Sequence, residues 1–120
     1  MKNLYLNNNK IKDIEIFKKI KFDKLEILEL SGNKIINIDV LKELYLKNLK
    51  ELYLGNNHIY DIKALEKVNF EKLEKLGLNG NIISDIKVLV KINLEQLTYL
   101  NLSDNAISDI KVLEKIKFDK

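Results

Sequence analysis

The chain has 120 residues, of which 46% are hydrophobic: the length of one domain, with enough apolar side chain for a continuous core. It contains no cysteine, which excludes disulfides, thiol catalysis and cysteine-built zinc sites, and its longest apolar stretches fall far short of the ~20 residues that cross a bilayer. The net charge is +3 and every basic residue is lysine, so the bidentate guanidinium fork that best reads phosphate and guanine is missing.

Cut at positions 1, 25, 49, 73 and 97, the chain falls into five units of 24 residues with none left over. Self-similarity at this period marks a solenoid, in which each unit buries its apolar face only against its neighbours. Residues 1–120 therefore read as one domain of units 1–24, 25–48, 49–72, 73–96 and 97–120, with no visible caps. No basic, apolar leader opens the chain, which favours a cytoplasmic location and speaks against membrane insertion.

The first element of each unit is a short strand. Alternation places Leu4 with Leu6, Leu28 with Leu30, and Leu76 with Leu78 on one side of it, and five such strands make a parallel sheet. Asn9, Asn33, Asn57, Asn81 and Asn105 follow at one position, where an inward turn would otherwise bury unpaired backbone amides and carbonyls. A stacked asparagine both donates and accepts, so this ladder is structural. Next come Asp13, Asn37, Asp61, Asp85 and Asp109, good helix N-cap residues, followed by apolar side chains at spacings of three and four such as Ile86, Leu89 and Ile92. The pattern predicts a helix of about two turns on the outer side. Phe22, Leu46, Phe70, Leu94 and Phe118 then plug the core before the next strand.

The first eleven residues of each unit follow L-x-x-L-x-L-x-x-N-x-I, as in Leu25, Leu28, Leu30, Asn33 and Ile35, and Met1 is the only departure at the three leucine positions. This pattern resembles the leucine-rich repeat family, and over twenty positions its short-unit, phosphatase-regulatory and internalin-like class. The resemblance implies an α/β fold: a right-handed, gently curved solenoid with a five-stranded parallel sheet on the concave face and short helices on the convex face. It also implies a concave face that receives protein partners.

Catalytic chemistry has little to stand on. His58 is the only histidine, with no second imidazole and no clustered carboxylate triplet, so neither a metal site nor a nucleophilic triad assembles. The four glycines make no phosphate-cradling loop, and no cofactor is implied. The Asn101-Leu102-Ser103 sequon reads as a chance triplet in an asparagine-rich chain. The chain is not expected to be an enzyme.

Binding is expected where packing does not dictate the residue. At the two outward strand positions, side chains change from unit to unit while the buried set repeats. The candidate concave site is Tyr5, Ile27, Glu29, Glu51, Tyr53, Lys75, Tyr99 and Asn101: tyrosine and isoleucine as anchors, charges to set orientation. On the outer helices, Lys63 with Lys67, Lys87 with Lys91 and Lys111 with Lys115 are i,i+4 pairs, but Glu66, Val90 and Glu114 interleave, so a solvated face is expected rather than a nucleic-acid site. A third surface is the two ends, where Leu4, Leu6, Leu100, Leu102 and Phe118 carry no polar cap. Stacking of copies through these ends, as a homo-oligomer or scaffold, is the alternative to a concave protein partner, unless the chain is a piece of a longer array.

Overall fold

A computed structural model describes residues 1–118; the last two positions of the fifth unit lie outside the described residues. Five three-residue strands, β1 (Asn3–Tyr5), β2 (Ile27–Glu29), β3 (Glu51–Tyr53), β4 (Lys75–Gly77) and β5 (Tyr99–Asn101), pair in chain order as one parallel sheet. Every strand is in register with the next at a spacing of one unit, so Leu4, Leu28, Leu52, Leu76 and Leu100 form one inward row. The chain is a leucine-rich-repeat solenoid, and its core is the stack of these leucines with Ile35, Ile59 and Ile83 from the turns and Leu41, Leu65 and Leu89 from the outer side.

The asparagine row closes the turn after each strand. Asn57 Nδ2 donates to the carbonyls of Leu54 (3.0 Å) and, one unit back, Leu30 (3.1 Å), while its Oδ1 accepts the Ile35 amide at 3.0 Å. Asn33, Asn81 and Asn105 repeat this bridge between units. Asn9 donates only within its own unit, to Leu6 and Asn7, and is exposed. Among the described residues no buried side-chain nitrogen or oxygen is left without a partner.

The position before each ladder asparagine adopts the left-handed conformation in all five units: Asn8, Gly32, Asn56, Gly80 and Asp104, with φ between 52° and 71°. Only asparagine, aspartate and glycine enter this region at low cost, and only these three residue types occupy the row. Beyond the ladder the backbone extends again. The amides of Lys34, His58, Ile82 and Ala106 donate to the carbonyls of Ile11, Ile35, Ile59 and Ile83 one unit back, at 2.8 to 2.9 Å, giving a second parallel ladder on the flank.

The outer elements differ from the predicted capped helices. They are 3-10 helices of five residues, Glu15–Lys19, Asp39–Glu43, Lys63–Lys67, Lys87–Lys91 and Lys111–Lys115, and the residue at each N-cap is isoleucine with no side-chain bond. Asp13, Asn37, Asp61, Asp85 and Asp109 sit one position earlier, where Oδ1 accepts the amide two residues on at 2.7 to 2.9 Å. This is a side-chain turn leading into the helix. A 24-residue lap leaves room for one tight segment, and at ~2.0 Å rise and three residues per turn a 3-10 helix covers that length with fewer residues than an α-helix.

The tighter winding also dissolves the lysine pairs. With three residues per turn, i and i+3 eclipse and i+4 is rotated by about 120°, so Lys63 and Lys67 do not share a face. Phe118 departs from its predicted role too: Phe22, Leu46, Phe70 and Leu94 are buried, but Phe118 is 42% exposed because no described repeat packs against the fifth.

Candidate functional site

The outward strand positions form two rows across the sheet. One runs Asn3, Ile27, Glu51, Lys75, Tyr99 and the other Tyr5, Glu29, Tyr53, Gly77, Asn101, each residue paired with its neighbour by strand register. Parallel strands lie ~4.8 Å apart, so the rows span about 20 Å. All eight predicted concave residues therefore lie on one continuous face.

Tyr53 is the most fixed of them. Its hydroxyl donates to Glu51 Oε1 at 2.6 Å, and its ring lies over Gly77, where an added Cβ would come within 3.1 Å of Tyr53 Cδ1. Burial first, then the hydrogen bond to Glu51 and the charges of Glu51 and Glu29, push the phenol pKa well above its ordinary value, so it stays a neutral donor. Tyr99, at the same face two strands away, accepts from Asn101 Nδ2 at 3.2 Å. Asn101 Oδ1 in turn accepts the amide and hydroxyl of Ser103 at 3.1 and 2.6 Å. Glu29 Oε1 takes the Ser31 amide at 2.8 Å. Glu29, Glu51, Tyr53, Tyr99 and Asn101 are thus steered along their own strands, while Tyr5 stands exposed at the edge of the sheet.

Beside these rows, Glu26 lies 3.7 Å from Lys50 and 4.0 Å from Lys2. These are solvent-exposed pairs worth ~0–1 kcal/mol each, so they pattern charge rather than hold the fold. Lys75 stands mid-row between Glu51 and Tyr99.

Elsewhere the chemistry is sparse. Among the described residues no three histidine, aspartate or glutamate side chains group to hold a metal ion, and no helix is long and apolar enough to cross a membrane. His58 is exposed on the flank ladder. At the ends, Leu4, Leu6, Leu100 and Leu102 are half-buried, against full burial of their counterparts in the middle units. A second variable surface escaped the sequence reading. Residues 10 and 12 of each unit point outward around the buried isoleucine between them, exposing Ile36, Tyr60 and Ile82. Their alternation with that isoleucine was the available signal.

A stack of repeated laps with an inward asparagine row and a freely varied strand face defines a repeat scaffold. The chain belongs to the leucine-rich repeat family: the family model described as Leucine Rich repeats (2 copies) matches residues 1–43 and 47–91, and a single Leucine Rich repeat model matches 95–110. Among solved structures, an internalin from Listeria monocytogenes is 36% identical over 96% of this chain with a TM-score of 0.81, and an internalin C2 from the same organism is 36% identical over 94% with 0.80. A leucine-rich-repeat protein from Leptospira interrogans shares the fold over the whole chain, with 23% identity and a TM-score of 0.72. This chain spans 32%, 46% and 37% of the length of those three proteins. No curated protein matches the sequence. Leucine-rich repeats are in general protein-interaction modules.

Proposed function

We propose that this chain is a non-enzymatic module that binds a protein partner on its concave sheet, with Tyr53 and Tyr99 as anchors. The observation that carries the reading is Tyr53, held by Glu51 and seated on Gly77 within a face whose every other outward position also varies. A tyrosine already fixed in place loses little rotamer freedom on binding, which is what an interface anchor requires. Glu51 and Lys75, adjacent across β3 and β4, set the polarity of the partner.

The test is capture of binding proteins from the source cell on immobilised wild-type chain, with Tyr53→Ala/Tyr99→Ala and an outer-helix variant, Lys63→Ala/Lys87→Ala, in parallel. A partner retained by the outer-helix variant and lost by the tyrosine variant is the expected result. Loss in the outer-helix variant alone overturns it.

Half-exposure of Leu4, Leu6, Leu100 and Leu102 supports the second reading, association of copies through the terminal units, together with Phe118. Its signature is mass that keeps growing with concentration, since a head-to-tail contact does not close.

A further inference from the structure

Three repeat positions alternate with a period of two units instead of one. The eighth residue of each unit runs Asn8, Gly32, Asn56, Gly80, Asp104, and the twenty-second runs Phe22, Leu46, Phe70, Leu94, Phe118. The second runs Lys2, Glu26, Lys50, Glu74, until Thr98 ends the pattern. Units one, three and five are therefore of one kind, odd, and units two and four of another, even. A Cβ added at Gly32 would overlap Asn8 Oδ1, and one added at Gly80 would overlap Asn56 Oδ1. Each of these odd units thus reaches forward into a space that the glycine of the next unit leaves open. Glu26 lies between the lysines on both sides, 4.0 Å from Lys2 and 3.7 Å from Lys50. In the buried row, phenylalanine against leucine sets large against small in successive layers, which lets them interdigitate without overpacking. Strand register is alike at all four joints and does not choose between the two kinds.

Both outer faces of the stack belong to odd units. Asp104 holds the eighth position in the same left-handed conformation as Asn8 and Asn56, with a side chain of the same shape. Another copy stacked in direct register would bring Asn8 onto Asp104 and Phe22 onto Phe118, two pairs that occur at none of the four joints. We propose that the outer faces of units one and five are docking surfaces for a different chain, whose terminal leucine-rich unit carries glycine at its eighth position and leucine at its twenty-second, in preference to another copy of this one. The occupant follows from the stack itself, where units two and four already cover the equivalent faces of units one, three and five. The inference rests on the second reading above, that the terminal units are open to association, and changes the partner they favour.

Asp104→Gly/Phe118→Leu gives the fifth unit the even pattern at two exposed residues, so its circular dichroism should match that of the wild type. The variant then presents the proposed partner to the first unit of other copies. Sedimentation over a concentration series reaching the millimolar range should show its mass growing without limit, because the contact is heterologous. Growth should begin at a concentration about ten-fold or more below any association of the wild type, the factor expected from relief of an overpacked contact. Wild type added in excess should shorten the assemblies, since it docks through its first unit and offers only an odd face beyond. Growth of the wild type at the same concentration as the variant, or assemblies indifferent to added wild type, overturns the preference and leaves association through the ends intact. If wild type and variant both stay monomeric throughout, the inference and the second reading fall together.

Discussion

The Tyr53 hydroxyl donates a 2.6 Å hydrogen bond to Glu51 two residues earlier on β3, and the space its ring needs is provided by Gly77 on β4. Three residues from two units thus set one side chain on the concave face. Any larger residue at position 77 competes with the ring for the same volume.

Tyr53 links the fold to pH. Its folded pKa lies above the unfolded value near 10, so the neutral phenol favours the folded state; the contribution is complete below pH ~10 and is lost as pH rises toward the folded pKa. Urea denaturation at pH 9 and pH 11 should show a smaller alkaline loss of stability in Tyr53→Phe than in wild type. In Gly77→Val the displaced phenol should titrate nearer its ordinary value, read by absorbance of tyrosinate. Equal alkaline losses in wild type and Tyr53→Phe would refute the linkage.

Asn57 and Asn9 occupy the same repeat position with unequal bonding. Asn57→Ala strands the buried Ile35 amide, an unmet group that costs ~1–3 kcal/mol, and takes one of two asparagine donors from each of the Leu30 and Leu54 carbonyls, which keep Asn33 and Asn81. A total loss of about 3–5 kcal/mol is expected in chemical denaturation. Asn9→Ala removes exposed bonds to Leu6 and Asn7 alone, for about 0.5–1.5 kcal/mol. Similar losses at both positions would show that bridging between units is not what the ladder supplies.

The leucine row should show the same gradient. Leu52 is completely buried, and Leu52→Ala is expected to cost about 3–5 kcal/mol as transfer and cavity terms add. Leu100 in β5 is only partly buried, so Leu100→Ala should cost about half as much or less. Hydrogen exchange should locate the weakened protection in the fifth unit for the latter and across the middle units for the former.

The strand leucines, the asparagine ladder and the two outward strand rows were legible in the residues, because each recurs every 24 positions and alternation has only one reading on a strand. Helix type was not. Ile14, Ile38, Ile62, Ile86 and Ile110 follow good capping residues and precede apolar spacings compatible with an α-turn, and only the length of the lap selects 3-10 winding. The left-handed row at Asn8, Gly32, Asn56, Gly80 and Asp104 was visible as a restricted residue set, yet its meaning needed the backbone. Ile36, Tyr60 and Ile82 drew no expectation from the sequence, since they occupy two different repeat positions.

By itself the sequence determined the repeat, the parallel stack, the buried row and the structural asparagines. These follow from local periodicity and from the requirement that inward backbone groups be paired. Only the tertiary structure decided how the outer segment winds, that Tyr53 rests on Gly77, and that Ile36, Tyr60 and Ile82, successively 24 and 22 residues apart, share one edge. Those outcomes depend on the spacing between adjacent laps, a length set by packing through space and written at no single position of the chain.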